Sequence, residues 1–221
     1  MTLFPDYPFL DPDGIWAETS GPPPEGAPRP ALFLDRDGVL VEEVNYLHRA
    51  EDVRIIDGAI EVIAAANRLQ FPVVIVTNQA GIGRRYYDWP GFIEVQDRLA
   101  LEFTDAGVHV EGIFACPFHV DGRPPYHHPN HPDRKPNPGM LLRAANALNI
   151  NLAGSWLIGD RAIDVRAARN AHCAGALHVR TGHGKRRHER EAATVLATED
   201  FEVKVGDSIA DALTTLPLLA G

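Results

Sequence analysis

The run Ala31-Leu32-Phe33-Leu34 is wholly apolar and stops dead at Asp35-Arg36-Asp37-Gly38. A short apolar run closed by charge and glycine is what a strand buried on both faces looks like. The pattern recurs along the chain. Val73-Val74-Ile75-Val76 stops at Thr77-Asn78-Gln79, and Ser155-Trp156-Leu157-Ile158 stops at Gly159-Asp160. Val110 to Phe114 and Ala176 to Val179 read as further strands, and Phe201 to Val205 as an edge strand. Helical spacing covers 59–69, 92–106, 139–148 and 164–170, and Ser208 reads as the N-cap of a last helix to Leu216. Strands alternating with helices at these intervals specify an α/β fold built on a doubly wound parallel sheet.

Residues 1–30 stand apart. They contain eight prolines, with the run Pro22-Pro23-Pro24, and that composition sustains neither a helix nor a central strand. The segment reads as a proline-rich arm leading into one domain over 31–221, with Phe4, Phe9 and Trp16 placing parts of it on the core or on a partner subunit. A chain of 221 residues suits this division. Its net charge of −9 argues against a nucleic-acid partner, which usually meets a basic face, yet leaves room for a small basic pocket that takes an anionic metabolite. Two cysteines make no disulfide framework, and no basic and apolar leader opens the chain. No apolar run reaches the roughly 20 residues a membrane helix needs. A cytoplasmic protein is expected.

Ligands of open α/β sheets sit at the carboxyl ends of strands, so Asp35, Asp37, Thr77, Asn78 and Asp160 should converge on one crevice. Each could be a mere turn, since Asp, Asn and Gly form turns. Together they imply chemistry. Two carboxylates two residues apart repel each other unless a cation lies between them. Magnesium would accept Asp35, the Asp37 backbone carbonyl and Asp160 as oxygen ligands. Asp35 could then attack phosphorus and the Asp37 side chain could protonate a leaving alcohol. Lys135 is the cation for the transferring group, with Thr77 as a donor beside it.

The segments Phe33-Leu34-Asp35-Arg36-Asp37-Gly38, Val76-Thr77-Asn78-Gln79, Arg134-Lys135-Pro136 and Ile158-Gly159-Asp160 with Asp164, in this order, resemble the haloacid dehalogenase-like superfamily of phosphotransferases. Asn45-Tyr46, the continuation Ala80-Gly81-Ile82 and the run Asn137-Pro138-Gly139-Met140 resemble the heptose bisphosphate phosphatases and their histidinol-phosphate sisters. The resemblance implies a Rossmann-like haloacid dehalogenase-like fold without a large cap domain, and hydrolysis of a sugar phosphate monoester. It implies Asp35 as nucleophile, Asp37 as general acid and base, and Thr77 and Lys135 as phosphoryl stabilisers. Glu43, Val44, Asn45, Tyr46, Asn78, Gln79, Ala80 and Arg134 would line the substrate pocket by position. Magnesium would be held at Asp35, Asp37 and Asp160 with the Arg161 backbone.

Relatives often carry zinc in the loop before the lysine, in a Cys-x-His and Cys-x-Cys arrangement. Here Phe118 stands at the histidine position, and His131 and Asp133 at the two later cysteines. Cys116, His119, His128 and His131 form an alternative tetrahedral set, against a zinc-free loop folded by its prolines. Arg84 and Arg85 could take a second phosphate, and Arg180 to Lys185 could touch the crevice. The cluster Lys185-Arg186-Arg187-His188 reads as a solvated basic loop. Competing functions are a histidinol-phosphate or nucleic-acid 3′-phosphatase, and a non-catalytic binding protein, although the latter would be expected to have lost Asp35, Asp37 or Lys135.

Overall fold

The computed structural model describes residues 4–219. Its strands are β1 (Trp16–Thr19), β2 (Leu32–Leu34), β3 (Val73–Asn78), β4 (Gly112–Cys116), β5 (Trp156–Gly159), β6 (Gly175–Val179) and β7 (Glu202–Gly206), joined in one sheet in the order β1-β4-β3-β2-β5-β6-β7. All neighbours run parallel except β1, which pairs antiparallel with β4 and sets Trp16 opposite Ala115. Strand order reverses at β2, because β3 lies on one side of it and β5 on the other. The loops after β2, β3 and β5 therefore open onto a single crevice.

The helices are α1 (Ala59–Arg68), α2 (Ala80–Arg84), α3 (Trp89–Asp105), α4 (Gly139–Leu148), α5 (Ala162–Asn170), α6 (Arg187–Thr194) and α7 (Ala212–Thr215). They cover both faces of the sheet. Phe33, Val74 and Val76 point into one core with α4 and α5, while Leu32, Leu34, Val73 and Ile75 point into the other with α1 and the middle of α3. Burial on both faces is why these strands are apolar without alternation. Local signals start and stop the helices. The Asp88 carboxylate accepts the Gly91 N–H at 3.2 Å to cap α3, with Pro90 in its first turn. Asn149 closes α4 in the left-handed region at a φ of 53°.

Several elements differ from the sequence reading. The arm supplies β1, an edge strand whose Trp16 is stacked 5.5 Å from Trp89, edge-on to Phe92. The third parallel strand, β4, begins two residues later than its apolar run suggests, at Gly112. The basic cluster at 185–188 is the end of a 3-10 turn over Gly182–Lys185 and the start of α6. The segment read as one C-terminal helix is a 3-10 turn, Ile209–Asp211, followed by the short α7, with Ser208 capping through its hydroxyl to Ala210 N–H. The long stretch 117–138 is a loop, and among the described residues no helix or strand interrupts it.

Candidate active site

Asp35 is the first residue past β2. Its N–H donates to the Ile158 carbonyl of β5 at 3.0 Å, and its Oδ1 accepts the Arg36 N–H at 2.8 Å. Lys135 arrives from the far loop. Its buried ammonium lies 2.9 Å from Asp35 Oδ1 and 2.7 Å from Asp164 Oδ1, and it donates to the Val76 carbonyl at 2.8 Å. The Val76 contact is a hydrogen bond and the two carboxylate contacts are ion pairs.

Asp160 is the first residue past β5, and it closes on Asp35 across Gly38. Gly38 has a φ of +82°, and a Cβ there would lie 2.3 Å from Asp160 Oδ2, so only glycine lets the chain pass. The same oxygen accepts the His183 N–H at 2.6 Å, while the buried Oδ1 has no partner. Oxygens of Asp35, Asp160 and Asp164 lie within 4.8 Å of one another. Burial, with the charges of Asp164 and Asp35, pushes the Asp160 carboxyl up to about 9. Burial likewise pushes Asp35 up to about 7 against the pull of Lys135. Three buried carboxylates against one ammonium make a site that favours a further cation. A hard divalent ion taking carboxylate oxygens fits it, and the free Oδ1 of Asp160 is a ready donor. Asp164 belongs to the same cluster, with its Oδ1 2.7 Å from the Lys135 ammonium and its Oδ2 accepting the Arg161 N–H at 2.9 Å.

The Asp37 side chain turns away from that cluster. The fully buried Arg36 guanidinium holds it through Nη2 at 3.0 Å, and Gln79 Nε2 donates to its Oδ2 at 3.0 Å. Arg36 is fixed in turn by Gln96 Oε1 and Gln79 Oε1, both at 3.1 Å, and lies over the Phe92 ring. Gln79 also donates to Thr77 Oγ1 at 2.6 Å and accepts from the Tyr87 hydroxyl. One glutamine therefore ties together the two strand ends that carry Asp37 and Thr77.

Asp35, Asp37, Thr77, Asn78, Lys135, Asp160 and Arg161 line a small inner cavity of 80 Å³. It opens beneath an outer crevice of 520 Å³, whose walls include Glu43, Asn45, Tyr46, Gln79, Ala80 and Arg134. Val44 does not join them. It is exposed and borders an adjoining 870 Å³ cavity that shares Glu43, Asn45 and His183 with the crevice and reaches neither Asp35 nor Lys135. Arg84 lines the outer crevice, where it donates to the Tyr46 hydroxyl at 2.9 Å and pairs with Asp121 at 2.8 Å. His183 lines both the inner and outer cavities, so the loop after β6 does reach the crevice. The sequence reading passed over Arg36. A buried arginine between two aspartates has no periodic signal, and the second carboxylate beside it was the available clue.

The zinc set is not assembled. Among the described residues, the only group of three or more side chains that could share a metal ion is the aspartate cluster. His119 faces the Arg84 guanidinium at 3.1 Å, and His131 is stacked on Phe118 with ring centroids 3.9 Å apart. Burial pushes the Cys116 thiol up to about 12. Phe118, at the position where relatives have histidine, fills the space with an aromatic ring.

A sheet of this order with this cluster at its switch point defines a class. A family model described as haloacid dehalogenase-like hydrolase matches residues 16–172, and a second HAD-like hydrolase model matches 133–212. The chain belongs to the haloacid dehalogenase-like hydrolases, and within them to the phosphatases. It is 39% identical over 168 residues to the D-glycero-beta-D-manno-heptose-1,7-bisphosphate 7-phosphatase of Mesorhizobium japonicum, covering 76% of this chain and 77% of that one. The protein of the same name from Escherichia coli K12 is 36% identical, with 69% and 80% covered. The crystal structure of D,D-heptose 1,7-bisphosphate phosphatase from B. bronchiseptica, complexed with magnesium and phosphate, superposes with a TM-score of 0.71 at 28% identity, covering 85% of this chain and 97% of that one. Among the described residues no helix is long and apolar enough to cross a membrane.

Proposed function

We propose that this chain is a magnesium-dependent phosphatase that removes the 7-phosphate of D-glycero-D-manno-heptose 1,7-bisphosphate through an aspartyl-phosphate on Asp35. The observation that carries the reading is the buried contact of Lys135 with Asp35, at 2.9 Å, under a crevice that widens outward. Asp35 attacks phosphorus, forming one P–O bond while the bond to the sugar oxygen breaks. Asp37, oriented by Arg36 and Gln79, gives its proton to the leaving alkoxide and then takes one from the water that hydrolyses the aspartyl-phosphate. Lys135 and Thr77 stabilise the equatorial oxygens. The side chains of Asp35 and Asp160, with the backbone at Asp37 and Arg161, would hold magnesium, which supplies positive charge against the phosphate oxygens.

The substrate assignment is supported by the walls of the outer crevice. Arg84 and Arg134 line the outer crevice and not the inner cavity, and give a second anionic group a place in an otherwise acidic protein. Glu43, Asn45 and Tyr46 supply hydrogen-bonding groups for sugar hydroxyls between the two ends. The test is a screen of phosphorylated sugars, with inorganic phosphate released as the readout. A marked preference for one anomer of the heptose bisphosphate, with the 1-phosphate kept in the product, is expected. Equal turnover of simple sugar monophosphates would overturn the substrate assignment.

A further inference from the structure

Arg143 on α4 holds three carboxylates at once. Nη1 lies 2.6 Å from Asp11 Oδ2, Nη2 lies 2.9 Å from Asp13 Oδ2, and Nε lies 2.8 Å from Asp133 Oδ1. Asp11 and Asp13 belong to the N-terminal arm. Asp133 belongs to the loop 117–138 and is the residue just before Arg134. The arm side of this junction is stiff. Asp11 Oδ1 accepts the N–H groups of Asp13 and Ile15, both at 2.9 Å, and the turn runs straight into β1 on the sheet edge.

A second junction joins the same two segments. The Phe4 ring stacks on Tyr126 at 5.4 Å and meets Phe118 edge-on at 6.2 Å. Gly14 makes room for it, since a Cβ there would lie 2.6 Å from the Phe4 ring. Phe118 then lies flat on His131, and its carbonyl accepts from Arg134 Nη1 at 3.1 Å.

The two neighbouring cations of the loop are held very differently. Lys135 is fixed from within, by Asp35, Asp164 and the Val76 carbonyl on its side chain and by Asn78 on its backbone. Arg134 has its side-chain hydrogen bond to Phe118, and both Phe118 and Asp133 are held by the arm or by the residue that grips the arm. We propose that residues 4–19 and Arg143 form a clasp that positions Arg134 over the outer crevice, so that the arm acts on substrate binding while leaving the chemistry at Asp35 alone. The proposal rests on the phosphatase reading for its kinetic consequence, but its structural consequence is independent of that reading.

Arg143→Ala removes all three ion pairs, Asp11→Ala removes one on the arm side, and Phe4→Ala removes the aromatic junction. For each, KM for the sugar bisphosphate should rise about fivefold or more, because a small displacement of a positioning group is costly. At the same time kcat should stay within about twofold, the pattern of a lost binding contact. Amide hydrogen exchange across 128–138 should quicken in the same variants, and Arg143→Lys should restore part of the effect. Lower melting temperature with unchanged KM and unchanged exchange would overturn the proposal, as would a fall in kcat alone. If Arg143→Ala does not fold, Asp11→Ala and Phe4→Ala carry the same expectations. Lack of turnover by the unmodified protein would sink the phosphatase reading, whereas unaltered exchange in the variants would sink the clasp.

Discussion

Asn78 grips the backbone of Lys135 with both ends of its side-chain amide, donating to the Lys135 carbonyl at 3.0 Å and accepting its N–H at 3.1 Å. The end of β3 is thereby fastened to the loop that delivers the lysine, across 57 residues of chain. Asn78→Ala leaves both backbone groups without partners at a part-buried site. The expected cost is about 1–3 kcal/mol, a fall in melting temperature of roughly 2–10 °C for a chain of this size. Phosphatase activity should fall by at least about tenfold, since Lys135 is no longer held against Asp35. Calorimetry and steady-state kinetics on the same preparation check both parts.

Asp35→Asn keeps the shape of the side chain and removes the nucleophile. Turnover should drop by about 10³ or more, while circular dichroism stays unchanged. The buried carboxyl is already pushed up to about 7 by burial, so neutralising it should leave the magnesium-free melting temperature level or higher. Fluoroberyllate should protect the unmodified protein against heat and fail to protect this variant. Near-normal magnesium-dependent activity would show that another residue attacks phosphorus.

The Asp160 carboxyl, raised to about 9 by burial and by Asp164 and Asp35, gives magnesium-free protein a pH dependence of definite sign. Its folded value lies above the ordinary 3.8, so the folded state holds the extra proton. The associated stability is complete at low pH and is lost as pH rises toward that folded value, by up to about 1.4 kcal/mol per pH unit. Magnesium should offset this loss, so the rise in melting temperature on adding the ion should grow from pH ~6 to pH ~8. A shift that is constant across this range, measured by scanning fluorimetry, would contradict the carboxylate cluster as the binding site.

Cys116 and Cys173 are both buried, and burial pushes each thiol up to about 12. The reactive form is the thiolate. A disulfide-exchange reagent at neutral pH should therefore find almost no reactive thiol in the native protein and two after denaturation. Rapid reaction of one thiol in the native state would show that the loop from Cys116 opens.

Much of the parallel sheet was legible because β2, β3 and β5 are buried on both faces and so announce themselves as apolar runs, while β6 is as buried and is broken only by His178. The inner site was legible for a related reason. Asp35, Thr77 and Asp160 occur where those runs end, and strand ends of an open sheet meet at its switch point. Other parts carry no such mark. β1 is four residues in a proline-rich arm, and its pairing depends on the free edge of β4. α6 is charged along most of its length and buries only Glu189 and Ala193. Its reason to form lies elsewhere, since the Glu189 carboxylate accepts the Ala162 N–H of α5 at 2.8 Å.

The sequence by itself determined the order of the parallel strands along the chain, the polar residues that follow β2, β3 and β5 and the membership of the family, because burial dictates residue type and local turns dictate glycine and aspartate. Only the tertiary structure decided which side chains touch. It set Val44 outside the crevice, turned Asp37 toward Arg36, left the cysteine and histidines of the loop apart, and brought the arm onto Arg143. Those are contacts between segments far apart in the chain, and their geometry follows from how the layers pack and not from any local pattern.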